Sequence, residues 1–183
     1  YISGNSWDIP WQAWFEQEYN SNGVQSDGKI IIGGDIWAYN GVKVPQNRYA
    51  NEDPSNYVEA PNSIIRLNVD GSLDETFNPD IYNVRDNGWG VQANPYINSV
   101  QVLSDDKVLV SGNFNGVAGA TAHGLVLLNS DGSLNTVYDF DSFGQVTTDA
   151  KMLPNGKVLA LNSWWSASTL VVFNADGTVD GFL

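Results

Sequence analysis

The chain has 183 residues and a formal net charge of −13, from eight Lys and Arg against twenty-one Asp and Glu. A chain so poor in cations has no basic patch for nucleic acid or an anionic membrane surface, both of which are bound through Lys and Arg. It contains no cysteine, which removes disulfides, thiolate metal sites and a cysteine nucleophile while leaving the compartment open.

The first segment, YISGNSW (1–7), has the pattern of a strand already under way, and FEQEYN (15–20) matches the later LDETFN (73–78). The chain starts at Tyr1, so it reads as a processed product or a piece of something longer. Between Asn20 and Lys29 too few residues remain for the strand expected there, and residues 1–23 are read as a truncated or degenerate unit. No apolar run approaches the ~20 residues of a membrane-spanning helix, and membrane insertion is not expected.

Next comes a phrase used three times: an apolar strand opened by a lysine, in SDGKIIIGGDI (26–36), SDDKVLVSGNF (104–114) and PNGKVLALNSW (154–164). Its partner phrase closes a strand with Asn-x-Asp-Gly, in IIRLNVDGSLD (64–74), LVLLNSDGSLN (125–135) and TLVVFNADGTVD (169–180). Consecutive apolar residues predict strands covered on both faces. Gly33, Gly34 and Gly112 mark a bulge or a close backbone approach. Asp70-Gly71, Asp131-Gly132 and Asp176-Gly177 predict hairpins with type I′ turns. INSVQVL (97–103) and VTTDAKML (146–153) supply a further strand upstream of two lysine-opened ones.

Each repeat is then a four-stranded antiparallel unit that cannot bury its faces alone. The expected fold is all-β, a β-propeller-like array of about three to four blades and part of a larger propeller. Its units are 1–23, 24–78 with an insert at 38–63, 79–140 with a long leading loop at 79–98, and 141–183. Long inserts of repeat proteins gather on loop faces that often bind.

The motif in SDGKIIIGGDI, Asn40-Gly41 and IIRLNVDGSLDETFN resembles the delta-60 repeat of bacterial and phage β-propeller proteins. The second unit is looser, with Asp106 where Gly is usual and Leu127 where Arg is usual. The third has Asn162-Ser163 in place of the Gly pair. The resemblance implies a surface or virion-associated propeller and carries no catalytic signature. An array of this size closes by oligomerising, closes with further segments, or stays an open stack.

Trp7, Trp37 and Trp165 share one repeat position just after the Gly-rich strand end, and Trp89 and Tyr39 lie in or beside the inserts. Aromatics beside Asn and Asp hold sugar rings by stacking and hydrogen bonding, and they also pack blade on blade; both readings stand. Asp70, Asp131 and Asp176 are weak Ca²⁺ candidates set against a plain turn role; no cofactor is otherwise expected. His123 reads as a surface or turn histidine, and the pairs Asp105/Asp106 and Asp139/Asp141 are chance neighbours in an acidic chain.

The function expected is a non-enzymatic structural or binding module at an extracellular or virion surface. Its partners would be other subunits of an assembly and a host-surface glycan. A secreted bacterial adhesin or filament subunit and a polysaccharide depolymerase are the alternatives.

Overall fold

The computed structural model describes residues 18–36, 38–39, 42–43, 46–50, 57–61, 63–86, 91–93, 95–139, 146–164 and 167–183, and every regular element among them is a strand. The chain begins with β1 (Glu18–Val24) and β2 (Ile30–Asp35). It passes through β3 (Ala38–Tyr39), β4 (Val42–Lys43), β5 (Gln46–Ala50) and β6 (Tyr57–Pro61) to β7 (Ile64–Leu67). Short strands β8 (Ile81–Tyr82), β9 (Val84–Asp86) and β10 (Val91–Ala93) follow. They lead to β11 (Tyr96–Val102), β12 (Val108–Asn113), β13 (Gly116–Val117), β14 (Ala120–Thr121), β15 (Leu125–Leu128) and β16 (Leu134–Val137). Last come β17 (Thr147–Met152), β18 (Val158–Trp164), β19 (Ala167–Phe173) and β20 (Val179–Phe182).

Three main sheets result. The first has the order β1-β2-β7, and a bridge from Leu67 to Leu73 marks its fourth member. The second is β11-β12-β15-β16 and the third β17-β18-β19-β20. All neighbours are antiparallel and follow chain order. These are the four-stranded blades expected from the repeat.

The blades stack face to face. The inner strand β11 lies against β1 and β2, and β17 lies against β11 and β12. Burial on both faces of a strand follows: Ile64, Ile65, Arg66 and Leu67 are all buried. Alternate side chains feed different cores. Ile31 and Ile64 join Ile97, Val100, Val108, Val110 and Val126 between the first and second blades. Leu109, Leu125 and Leu127 join Ala150, Val158, Ala160, Val171 and Phe173 between the second and third.

The structure corrects two expectations. Residues 18–24, thought too few for a strand, form β1, whose partner register runs from Glu18 opposite Asp35 to Val24 opposite Ile30. The signal was present in the sequence: NSNGVQSDGK (20–29) aligns with NSVQVLSDDK (98–107), and both strands bulge at the Asn. The Asp-Gly turns are not type I′, which needs positive φ at both central residues. In residues 68–72 only Gly71 has positive φ, at 82°. Gly71 N–H donates to the Asn68 carbonyl at 2.9 Å and Asn68 N–H to the Ser72 carbonyl at 2.8 Å. That is a type I turn closed by a glycine bulge.

The lysine-opened strands are entered through the same loop. Residues 25–29, 103–107 and 153–157 repeat this pair of bonds, as do 129–133 and 174–178. Of the glycines marked in the sequence, Gly33 is a close approach: a Cβ there would lie 2.5 Å from Ile97 Cγ2. The bulges themselves sit in the inner strands, at Asn20, Asn98 and Thr148.

Candidate functional site

In an antiparallel sheet whose strands follow chain order, alternate connections fall at opposite ends. All six short loops therefore lie at one end of the blades, which we term the loop end. The long connections start and finish at the other, the connection end: residues 36–63 and 114–124 within blades, and 78–95 and 138–146 between them.

The loop end has a cleft of about 230 Å³ lined by Gln25, Asp27, Arg66, Asp106, Ser130 and Asp131. Buried Arg66 is its centre. Its Nε donates to Asp74 Oδ2 at 2.9 Å and its Nη1 to the Ser130 carbonyl of the next blade at 2.7 Å. Weaker contacts reach Gln25 Oε1 and Thr76 Oγ1, and the guanidinium stacks 4.8 Å from the centre of the Phe77 ring. Gln25 Nε2 donates across the same joint to the carbonyls of Asp106 and Ser130, at 3.1 and 3.0 Å.

A guanidinium so fully engaged is a tie between blades and has no face left for an anion. Asp74 also accepts from Lys29 Nζ at 3.0 Å and from Thr76. Burial pushes the Asp74 carboxyl up, but the hydrogen bonds from Thr76 and Lys29 and the Arg66 charge outweigh it and hold it well below the usual range.

Asp70, Asp131 and Asp176 serve their own loops. Each Oδ1 accepts from the backbone N–H two residues on, at 2.9, 2.9 and 3.0 Å, and from the hydroxyl of Ser72, Ser133 or Thr178. Those bonds, the hydroxyl's first, lower all three carboxyls. Among the described residues no group of three or more His, Asp or Glu is arranged to hold a metal ion.

The connection end is built differently. β13 pairs with β14 and also with β8, joining the second blade's own connection to the segment between blades. Gly116 lies under the Tyr82 ring, where any Cβ would collide. Ser63 Oγ donates to the Pro95 carbonyl at 2.6 Å, tying the end of one long connection to the end of another. Three non-glycine residues with positive φ, Ser63, Asp80 and Ala118, are found here. Such backbone persists only where its surroundings fix it, and it gathers at working sites. His123 Nδ1 lies 2.7 Å from Asp139 Oδ1, a partner sixteen residues away that local spacing did not reveal.

The aromatic candidates divide. Trp7, Trp37, Trp89 and Trp165 lie outside the described residues. Half-buried Tyr39 packs with Ile36, Ile65, Leu67 and Leu73 on the outer face of the first blade and donates to the Gly71 carbonyl at 3.1 Å. Asp105 is paired with Lys107 at 2.5 Å, and Asp106 with the neighbouring loop. Asp141 lies outside the described residues. The Arg66–Asp74–Gln25 joint was missed, although the exchange of Arg66 for Leu127 between repeats was its signal.

A family model described as "Domain of unknown function (DUF5122) beta-propeller" matches residues 25–45, 62–77 and 103–136. The chain is similar to this β-propeller family. The matched stretches fall on strands and short loops of the first and second blades, take in the connection 114–124, and leave out residues 46–61, 78–95 and 138–146. No curated protein matches the chain. Among the described residues no helix is long and apolar enough to cross a membrane. A β-propeller of this kind is a binding or structural module.

Proposed function

We propose that the protein is a non-enzymatic module of an extracellular assembly, a phage tail, fibre or decoration protein, whose connection end holds a glycan or a neighbouring subunit. One observation carries the reading: every long, irregular connection emerges at the same end, while the loop end is spent on identical short turns. The inserts 38–63 and 79–98, whose sequences contain Tyr, Trp and Asn, start and finish at that end, and Tyr39 of the first folds back along the outer face to the Gly71 carbonyl. The virion setting is supported by the resemblance of the repeat phrase alone.

The test is binding of the purified protein to a glycan array and to host cells, with Trp37→Ala and Trp89→Ala in parallel. Loss of binding with unchanged melting supports the reading. Loss of folding assigns those side chains to packing. Release of reducing sugar from host polysaccharide overturns the non-enzymatic reading.

A further inference from the structure

The joint between the first and second blades and the joint between the second and third use equivalent positions of the repeat, filled differently. At the first joint polar side chains tie the loop end. Arg66 Nη1 donates to the Ser130 carbonyl at 2.7 Å, Gln25 Nε2 to the Asp106 carbonyl at 3.1 Å, and Ser26 N–H to the Asp106 carboxylate at 2.6 Å. At the second joint the places of Arg66, Gln25 and Asp106 are taken by Leu127, Leu103 and Gly156. Leu103 and Leu127 pack into the apolar layer and direct no bond across it. Polar ties run between the inner strands instead: Asn98 Nδ2 donates to the Thr147 carbonyl at 3.0 Å, and Met152 N–H to Gln101 Oε1 at 2.9 Å.

Buried hydroxyls are distributed in the opposite sense. Ser111, Tyr138 and Thr147 each bury a hydroxyl that meets no hydrogen-bond partner among the described residues. All three belong to the second joint: Ser111 shares the face of β12 with Leu109, Tyr138 lies edge-on to Phe173 at 5.7 Å, and Thr147 shares the inner face of β17 with Ala150. Their equivalents at the first joint are Gly33, Phe77 and Ile97, which carry no hydroxyl, and there Gly33 packs against Ile97. An apolar residue can replace a buried polar tie without loss, so Leu103 and Leu127 alone would leave the two joints even. The hydroxyls tip the balance. Opening the second joint lets water reach three unpaired groups, whereas opening the first breaks bonds already made.

In a stack of repeats, stability is shared between the units and the joints between neighbours, so opening starts at the weakest joint. We propose that the second joint is an opening point set into the fold, where the third blade parts from the other two while they stay folded. The gap starts at the loop end, since Asn98 and Gln101 hold the inner strands. It bares Leu109, Leu125 and Leu127 on the second blade, and the freed third blade, unable to bury its faces alone, loses its strands.

Amide hydrogen exchange of the intact chain tests this, under conditions where reclosing outpaces exchange. Amides of β17, β18 and β19 are expected to exchange together, at least about tenfold faster than those of β2 and β7 in the first blade. Ser111→Ala/Thr147→Val removes two of the unpaired hydroxyls and is expected to slow the third blade by about tenfold. Arg66→Leu weakens the first joint equally in the closed and opened forms, so it should speed β2 and β7 and leave the third blade unchanged. Equal exchange in the first and third blades, or faster exchange in the first, overturns the proposal. So does a third blade whose exchange ignores Ser111→Ala/Thr147→Val, because its opening would then belong to the blade and not to the joint.

Discussion

Asp106 and Ser26 lock adjacent blades at the loop end: the Asp106 carboxylate accepts from Ser26 N–H at 2.6 Å and from the Ser26 hydroxyl. Asp106 occupies the bulge position that Gly28, Gly71, Gly132, Gly156 and Gly177 fill in the other loops, and its φ is 62°. A left-handed backbone costs an L-residue about 1–2 kcal/mol, least for Asp and Asn. The contact with the neighbouring blade offsets it. Asp106→Gly, which loses the contact and the strain together, is expected to change stability little. Asp106→Ala keeps the strain without the contact and should lie about 1–2 kcal/mol below Asp106→Gly in denaturant unfolding. Equal stability of the two variants would contradict the loop geometry.

Arg66 and Asp74 should behave as a unit. Removing one partner of a buried ion pair typically costs about 3–5 kcal/mol, because the other is left uncompensated. Arg66→Leu is expected near the lower end of that range, since Lys29 still pairs with Asp74 at 3.0 Å. The second blade carries Leu127 and Asn135 at these two positions. The double variant Arg66→Leu/Asp74→Asn should therefore recover much of the loss, giving a coupling energy well above measurement error in a double-mutant cycle.

Acid should loosen the same joint. Asp74 titrates below its unfolded value of about 3.9, so its contribution is complete above that pH and is lost as pH falls toward the folded value. Within that window each pH unit removes up to about 1.4 kcal/mol. Stability curves between pH 5 and about pH 2 are expected to fall more steeply for the wild type than for Asp74→Asn. Parallel curves would remove Asp74 from the account. Asp70, Asp131 and Asp176 shift in the same direction, and both proteins share them.

Two substitutions at matching joints should have opposite signs. Thr147 is buried and its hydroxyl finds no partner, while the equivalent position in the second blade is Ile97. Thr147→Val removes an unsatisfied hydroxyl and is expected to be neutral or stabilising by about 1 kcal/mol. Gly33→Ala drives a methyl into Ile97 and should cost about 1–3 kcal/mol by overpacking, partly relieved by Ile97→Val. Thermal melts of the three proteins decide it.

The blade was legible because its signals are local. Consecutive apolar runs such as 108–110 announce burial on both faces, and Asp-Gly punctuates each hairpin. β1 was hidden by Gly23 and the polar NSN that precedes it, which look unlike a strand until set beside residues 98–102. The Arg66 joint was hidden for another reason. It draws on residues 25, 66, 74, 106 and 130, and no local pattern links positions that meet only when blades stack. His123 and Asp139 were separated in the same way, each unremarkable until the chain brings them within 2.7 Å.

The division between the two ends also sets where this chain can grow. Each loop-end turn fits five residues into a fixed pattern of bonds with a left-handed residue at one place, so an added residue would break the register of two strands. At the connection end the strand ends are already held by their ladders, and doubling the length of a loop costs only about 0.6 kcal/mol. The same crossing between second and third strands takes residues 36–63 in the first blade and only 165–166 in the third. New sequence, natural or grafted, can thus be carried at one end of the molecule while the other stays unchanged.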